Sequence, residues 1–552
     1  MKKRLLVLLL GMSLSLSLQA GPSCLEVYSK KFDYNQTLVS MLASLPPDMQ
    51  FEVAKQMQIS KSFDLSQVGT THLEAIFFEH IAKAHAENRF DQVVDQMIGQ
   101  LSGLPQFQSR FANIPEAKKA ELTSMLKAGL LGELQLRTFF GKELTTDIWS
   151  KIARSIEMKM GKFTQWLRLS VVQKLQRIAS LTGTQVVGTK DMEFLIDGPM
   201  AFAKRDELVT NARKSIHVLT WSVYDDATGT KFADQMIEKK RQGVDVKIIV
   251  DALTAQKSGH NQQLGRMIQN GIEVVFSRNP KLFLSGQHRK AMIIDGTDVV
   301  AGGMNYGDVY SHLAGTDKWR DTDVHFTGSL VGKTHNLFVN EWNEQIKFHG
   351  LPFQKMEKNK IKVGRDESPA VLLNSSPADY KTSGSPIIRS LLALIKGSHK
   401  EIIIENAYMI SSPILEKELQ KAIARGVKVT IITNSSKSVD EPVVSNPILA
   451  SALRLKKLGA HIVLKNGSTL HSKVALFDGE ISFVTSYNLH PRSELIEDEM
   501  AYISADYKAA QQLRTALMND IKVNRQVVDD SEIVLSEDAL TLFFNRLLYN
   551  QL

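Results

Sequence analysis

Residues 469–493 read TLHSKVALFDGEISFVTSYNLHPRS and place His471, Lys473, Asp478 and Asn488 around two short apolar runs. An Asp-Gly pair separates the two runs, which is typical of a two-residue β-hairpin turn. Side chains two residues apart on a strand project from the same face, so His471 and Lys473 can meet one ligand. The segment therefore predicts a hairpin that presents an imidazole, an ammonium and an amide together.

The same arrangement occurs a second time, in residues 287–308, which read QHRKAMIIDGTDVVAGGMNYGD. Here His288, Lys290, Asp295 and Asn305 stand at the same relative positions. Both copies follow a strand–helix–strand pattern: SIHVLTWSVY, GTKFADQMIEKKRQG and VDVKIIVD in the first, and EIIIENAYM, SPILEKELQKAIARG and VKVTIITNSS in the second. Such units usually form parallel strands with right-handed crossovers. We therefore predict an α/β protein with two similar lobes.

The repeat divides the chain into regions. Apolar residues at helical spacing from about residue 36 to 182 predict an all-helical N-terminal domain ahead of the two lobes. A charged stretch with Gly and Pro separates the lobes, and the tail predicts an amphipathic helix capped by Ser536. The predicted limits are 1–20 for a signal peptide, 25–185 for the helical domain, 186–350 for lobe one, 351–369 for the linker, 370–525 for lobe two and 526–552 for the C-terminal helical tail.

The first twenty residues, MKKRLLVLLLGMSLSLSLQA, begin with basic residues, continue with a short apolar stretch and end with small residues. This pattern is typical of a secretory signal peptide, with an uncleaved anchor as the alternative. We therefore expect an exported protein. Cys24, the only cysteine, cannot form an internal disulfide. The residues before it lack the leucine of a lipoprotein signal, and its lipidation stays open.

The composition fits a globular chain, with 43% hydrophobic and 23% charged residues. The formal net charge of +8 is compatible with anionic lipid or nucleic acid and establishes neither. Between residues 147 and 178, apolar residues that include Trp149 and Trp166 recur at helical spacing beside several lysines and arginines. Such a helix can lie on an anionic membrane surface as a peripheral contact. Burial of the apolar stripe against neighbouring helices is the alternative, and it is the commoner case.

The repeated residues suit the chemistry of a phosphodiester. Two lysines and two amides can hold its non-bridging oxygens by fixed charge and hydrogen bonds. One neutral histidine can attack phosphorus while the other, protonated, donates to the departing oxygen. Each imidazole also needs an orienting acceptor, for which Asp321, 33 residues after His288, and Glu499, 28 residues after His471, are candidates. The chain has no His-x3-His pair and no paired cysteines, so we expect no metal and no cofactor.

Two copies of His-x-Lys-x4-Asp resemble the mark of the phospholipase D superfamily, and the resemblance covers about residues 186–520. The strings GGMNYGDVY, WRDTDVHFTG and SYNLHPRS are similar to the bacterial cardiolipin synthase branch. The resemblance implies two α/β lobes around a pseudo-twofold axis, with His288 as the nucleophile and His471 as the acid and base. It further implies structural roles for Asp295 and Asp478, and phosphate contacts from Lys290, Lys473, Asn305, Asn488 and Ser486.

We therefore expect an exported phosphatidyltransferase or phospholipase D that acts on glycerophospholipids through a phosphohistidine, in the periplasm or cell envelope of a bacterium. The alternative is a metal-independent nuclease of the same superfamily, whose channel would combine dense basic residues with aromatic side chains. The sequence shows few aromatic residues near the motifs. A lobe pair that only binds phosphate is a third reading, but it has no need for both histidines. The acceptor, the lipid headgroup, the oligomeric state and the role of the helical domain stay open.

Overall fold

The structure is a computed structural model that describes residues 34–46, 48–49, 70–141, 148–160, 164–167, 169–282, 285–536 and 538–551. The expected signal peptide and Cys24 lie outside the described residues. The chain divides into two compact units, one of Met1–Ile148 with Leu535–Leu552 and the other of Trp149–Val534. The first boundary falls earlier than the predicted limit at residue 185, because the helices after Trp149 pack with the two lobes.

The first unit is helical, as the periodicity of the N-terminal region predicts. Its core is built from buried apolar residues such as Phe77, Phe107 and Phe543. The tail helix begins two residues later than predicted, because Asp538, not Ser536, is its N-cap and accepts from Thr541 N at 3.0 Å. The helices of this unit are Tyr34–Ala43, Thr70–Ala86, Phe90–Gly103, Pro105–Ala112, Glu116–Phe140 and Ala539–Leu547.

In the described part of the second unit, fifteen strands form one mixed sheet. Lobe one contributes β1 Val187–Ile196, β2 Ser215–Thr220, β3 Asp245–Asp251, β4 Glu273–Ser277, β5 Ala291–Ile294, β6 Asp298–Gly302 and β7 Thr322–Thr327. Lobe two contributes β8 Ser368–Ser375, β9 Glu401–Asn406, β10 Lys428–Thr433, β11 His461–Leu464, β12 Lys473–Phe477, β13 Ile481–Thr485, β14 Glu499–Ser504 and β15 Arg525–Gln526.

The two lobes repeat one strand order. Lobe one runs β1-β7-β6-β5-β2-β3-β4, and lobe two runs β8-β14-β13-β12-β9-β10-β11, with β15 added at its edge. The antiparallel pair β1–β8 joins the lobes into a continuous sheet. The prediction of two similar α/β lobes is therefore confirmed. Only β2-β3-β4 and β9-β10-β11 are parallel, since the hairpins that carry the motifs add antiparallel strands.

Both predicted hairpins are present. β5 pairs with β6, and β12 pairs with β13, both antiparallel. The turn residues Asp295 and Gly296 have φ of 52° and 70°, and Asp478 and Gly479 have φ of 55° and 74°. Positive φ at both central residues matches the twist of the flanking strands, and Asp-Gly accepts it at little cost.

Helices cover the sheet of the second unit. The apolar stripe of the helix Ile148–Met160 is buried, with Ile152 and Ile156 both 0% exposed. The membrane-surface reading of this stripe is therefore wrong, and its burial against neighbours is right. The other helices are Thr164–Leu167, Val171–Thr182, Asp197–Asn211, Ala227–Arg241, Gln262–Gln269, Asp308–Ser311, Ser329–His349, Pro377–Tyr380, Pro386–Gly397, Pro413–Ala424, Ser445–Lys457, Pro491–Leu495 and Tyr507–Val523.

Among the described residues, no helix has both the length and the apolar content that a membrane crossing requires. The stretch between the lobes, residues 351–364, has no regular structure but is held along the helix Ser329–His349. Trp342 Nε1 donates to Gln354 O at 3.0 Å, and Asn343 Nδ2 donates to Met356 O at 2.8 Å. The connector is thus fixed to lobe one.

The two motif aspartates bind backbone rather than facing the catalytic groups. Asp295 accepts from the N–H groups of Arg213, Lys214 and Ser215 at 2.9, 2.7 and 2.9 Å. Asp478 accepts in the same way from the three residues 399–401, at 3.0, 2.8 and 3.3 Å. Each aspartate therefore fixes the entry of the strand beside its own hairpin.

Replacing Asp478 by Ala should lower the free energy of unfolding of this unit by about 2–4 kcal/mol, because three backbone donors lose a charged acceptor. All five tryptophans lie between residues 149 and 342, so intrinsic fluorescence in urea reports on this unit alone. The exposed Asp366, changed to Ala, is the matched control. A loss below about 0.5 kcal/mol would contradict this role.

Candidate active site

The structure brings the two motifs together where the lobes meet. His288 and Lys290 lie immediately before β5, and His471 and Lys473 occupy the same place at β12. All four side chains are buried, with 6% and 5% exposure for the histidines. Burial and then the charge of Lys473 lower the pKa of Lys290, and burial, with smaller contributions from Lys290 and His471, lowers the pKa of His288. The four groups therefore act within one electrostatic environment.

Each histidine takes its orienting carboxylate from the other lobe. His288 Nδ1 lies 3.0 Å from Glu499 Oε1, and His471 Nδ1 lies 2.6 Å from Asp321 Oδ2. Both predicted acids thus contact a histidine, but the pairing is crossed, since each acid contacts the histidine of the other copy. In the sequence, the spacing of each acid was measured from the histidine of its own copy. Because Nδ1 of each ring contacts a carboxylate, Nε2 is the nitrogen left to attack or to exchange a proton.

Backbone hydrogen bonds between the lobes explain the crossing. His288 N donates to Asp498 O at 2.9 Å, next to Glu499. In the other half, His471 N donates to Arg320 O at 2.7 Å, next to Asp321. The segment before each histidine therefore pairs with the segment before the other lobe's acid, a contact that no spacing within one copy reveals.

The two histidines have unequal environments. Burial and the Lys290 ammonium hold the pKa of His288 well below its usual range. Burial and Lys473 also lower the pKa of His471, but Asp321 opposes them through its charge and its hydrogen bond. Burial raises the pKa of Asp321, yet the interactions with His471 outweigh it and the net shift is downward. His471 is therefore the better placed of the two to carry a proton.

The lysines hold positive charge in a buried place. Lys290 Nζ donates to His288 O at 2.6 Å, and Lys473 Nζ donates to His471 O and lies 3.1 Å from its Nδ1. Burial lowers the pKa of Lys290 to about 7, although Glu499 raises it. Burial likewise lowers the pKa of Lys473. Both ammonium groups are thus held beside the histidines, where burial disfavours their charge and a bound anion would favour it.

The residues predicted to contact phosphate differ in their hydrogen-bond partners. Asn305 Nδ2 donates to Tyr310 at 3.0 Å, and within the described residues the Oδ1 atoms of Asn305 and Asn488 are buried without a hydrogen-bond partner. Ser486 instead donates to Glu499 and accepts from Met500 N at 3.0 Å. Its hydroxyl supports the carboxylate that holds His288, and this differs from the phosphate contact that the resemblance implies.

Glycine replaces that serine in lobe one. Gly303 stands 15 residues after His288, as Ser486 stands after His471. A Cβ at Gly303 would lie 2.2 Å from Asp321 Oδ1, so the position admits no side chain. Asp321 therefore has no serine hydroxyl of this kind to share its charge.

Aromatic rings lie against both histidines, although the sequence shows few aromatic residues near the motifs. Trp221 meets His288 edge-on at 5.8 Å between ring centroids. Tyr310 and Trp319 lie 5.1 and 5.4 Å from the ring of His471. Sequence reasoning missed Tyr310 and Trp319. Their adjacency to Asn305 and Asp321 was the available signal.

One group in the described residues has the spacing of a cation site, since the ligand atoms of His288, Glu497 and Glu499 lie within 4.8 Å of one another. Glu497 is already paired with Arg492 at 2.7 Å, and Glu499 already accepts from His288 and two serines. With the Lys290 ammonium beside it, the group is better described as a hydrogen-bonded network. The expectation of no metal stays a prediction.

These features define a two-lobed phosphodiester site with one histidine and one lysine from each lobe. A profile described as "Cardiolipin synthase, PLD-like domain" matches residues 206–311 and 391–521, which contain the two motifs. The two lobes are therefore PLD-like domains, similar to those of the phospholipase D superfamily of enzymes.

Similar proteins cover the same part of the chain. Cardiolipin synthase 2 of Staphylococcus epidermidis is 25% identical over 350 residues, which are 62% of this chain and 70% of the relative. Cardiolipin synthase of Oceanobacillus iheyensis is 26% identical over 351 residues, or 61% and 70%. The crystal structure of phosphatidylserine synthase from Haemophilus influenzae superposes with a TM-score of 0.56 at 17% identity, over 68% of this chain and 98% of that one. This superposition supports the fold.

The low pKa of Lys290 predicts how activity depends on pH. Because the pKa lies near 7, the ammonium is lost as the pH rises through 7, and kcat/KM should fall there. In Lys290→Arg the side chain stays charged, so the fall should move to higher pH even if the rate is lower. Steady-state kinetics from pH 5 to 9, with surface Lys360→Arg as the control, measure this. An unmoved fall in Lys290→Arg would assign it to another group.

Proposed function

We propose that this chain is an exported phosphatidyltransferase or phospholipase D that acts on glycerophospholipids through a covalent phosphohistidine. The observation that carries the proposal is the crossed set of two histidines, each on a carboxylate of the other lobe, with unequal tendencies to hold a proton. The similarity to cardiolipin synthases supports a phospholipid as the substrate.

In the first step, Nε2 of neutral His288 attacks phosphorus. The N–P bond forms as the bond from phosphorus to the leaving alcohol breaks, and His471 gives its proton to the departing oxygen. Lys290 and Lys473 balance the charge on the non-bridging oxygens, in a site where burial strengthens each interaction. The low pKa of His288 keeps this ring unprotonated and able to attack.

In the second step, neutral His471 takes a proton from the acceptor hydroxyl, whose oxygen attacks phosphorus as the N–P bond breaks. Asp321 stabilises the imidazolium that forms, in the manner of the acid in a catalytic triad. Water as the acceptor yields phosphatidic acid. The glycerol hydroxyl of phosphatidylglycerol as the acceptor yields cardiolipin.

The direct test incubates the purified chain, without its first twenty residues, with phosphatidylglycerol vesicles in EDTA and identifies the lipids by mass spectrometry. We expect cardiolipin or phosphatidic acid from the wild type. His288→Ala should reduce the rate by more than about a thousandfold, because the nucleophile is lost. The exposed His349, changed to Ala, is the control. No lipid product, together with cleavage of DNA in EDTA, would replace the lipid assignment with the nuclease.

The two histidines can be separated with phosphatidyl-p-nitrophenol, whose leaving group departs without a proton. His471→Ala should then form the intermediate and accumulate it, because the base for the second step is absent. We expect an acid-labile phosphatidyl adduct on His288 in this variant by intact-protein mass spectrometry. An adduct on the protein in the His288→Ala variant would contradict the assignment of the nucleophile.

Export is proposed from the pattern of residues 1–20. In a bacterial host, the chain should lose about twenty residues and reach the periplasm or cell envelope. N-terminal sequencing of the chain after fractionation measures both. Replacing Leu6 and Leu8 by Arg should keep it in the cytoplasm with its full N-terminus, because the apolar stretch is broken. Cytoplasmic location of the unaltered chain would refute the proposal.

A further inference from the structure

A buried arginine lies behind the first histidine, on the side of the chain away from the site. Arg289 stands between His288 and Lys290, is 2% exposed and makes its contacts elsewhere. Its Nε donates to Asn374 at 2.8 Å, and its Nη1 donates to Glu341 at 3.1 Å. Successive side chains of an extended chain point to opposite faces, so Arg289 points away from the face that His288 and Lys290 share.

Arg289 also meets the residue next to the orienting acid of lobe two. Its Nη2 lies 3.7 Å from Asp498 Oδ1, and Asp498 immediately precedes Glu499. The backbone of Asp498 is at the same time bonded to His288 N at 2.9 Å. The ion pair and the backbone bond thus tie together the two short segments whose opposite face holds the His288–Glu499 pair.

The second half of the site has a counterpart. Arg320 immediately precedes Asp321, and its backbone O accepts from His471 N at 2.7 Å. Its guanidinium donates to Asp520 of lobe two at 2.7 and 3.0 Å, and lies 3.4 Å from Glu405. Burial lowers the pKa of Arg320, but the carboxylates, Glu405 first, outweigh it and keep the group charged.

Both arginines come from lobe one and both bind carboxylates of lobe two. We infer that Arg289 and Arg320 are positioning residues, of which Arg289 fixes the attacking histidine, His288, and Arg320 fixes the proton-transferring one, His471. The inference rests on the proposed function. Neither arginine touches the reacting atoms, because each acts through the histidine–carboxylate pair beside it.

The two roles predict different responses to the leaving group. An alcohol leaves with a proton from His471, whereas p-nitrophenolate leaves without one. A defect in positioning His471 should therefore not slow the first release of p-nitrophenol. A defect in positioning His288 should show with either leaving group, because bond formation to phosphorus is needed in both cases.

The experiment compares Arg289→Lys and Arg320→Lys, which keep the charge but lose the planar fork of donors. Asp498→Asn and Asp520→Asn break the same pairs from lobe two and serve where a lysine variant does not fold. Arg514→Lys is the matched control, since Arg514 pairs with Glu401 at 2.7 Å on the surface of lobe two. Turnover of phosphatidylglycerol and the burst of p-nitrophenol from phosphatidyl-p-nitrophenol are measured for each folded variant.

With phosphatidylglycerol, both variants should lose about 10- to 100-fold in kcat at an unchanged KM, the usual cost of disturbing a residue that supports a catalytic group. In the burst, Arg320→Lys should stay within about threefold of the wild type, whereas Arg289→Lys should keep its full defect. Equal losses of the two variants in every assay, or losses in KM alone, would overturn the inference.

The burst is also measured with bis(p-nitrophenyl) phosphate, which contains no lipid. Cleavage of this compound by a wild type that turns over neither lipid would refute the lipid assignment alone. The contrast between Arg289→Lys and Arg320→Lys in this burst then decides the roles of the arginines by itself. Loss of the burst in both variants to the same degree would refute them.

Discussion

The exchange of carboxylates between the lobes is the constraint on which the site depends. His288 is oriented by Glu499 and His471 by Asp321, so neither lobe by itself orients its motif histidine. The β1–β8 pair and the backbone bonds that precede each histidine set this geometry. A catalytic site divided in this way requires both lobes to fold and to meet in one register.

The same constraint explains where the polar groups are buried. Four ionisable side chains of the two motifs are nearly inaccessible, and burying such groups costs free energy unless each is paired. The structure pairs the histidines through Nδ1 and places each lysine on the backbone carbonyl of its histidine, with Lys473 also against the imidazole. An anionic phosphodiester would favour the charged form of these buried lysines. The buried groups therefore lower the stability of the free protein, and binding of the phosphodiester offsets this cost.

Much of the fold could be predicted because it depends on local sequence patterns. Alternating elements, a repeated motif and two Asp-Gly turns predict the lobes and their hairpins. The crossing of the acids could not be predicted, since it depends on pairing between segments about 150 to 210 residues apart, such as Asp321 with His471. The aromatic rings near His471 were missed for a similar reason, because Tyr310 and Trp319 lie 161 and 152 residues before His471 in sequence but against it in space.

The unequal pKa values of the two histidines are accompanied by one small difference between the lobes in the hydrogen bonds of their carboxylates. Ser486 donates to Glu499, and Ser493 donates to it at 2.7 Å, so this carboxylate divides its hydrogen bonds among several donors. At the position of Ser486, lobe one has Gly303, and Asp321 accepts from Thr322 N at 2.7 Å in addition to its contact with His471. A carboxylate with fewer competing donors stabilises an imidazolium better than one with more. The duplicated motif therefore gives its two histidines unequal tendencies to hold a proton, without any change in the histidines themselves.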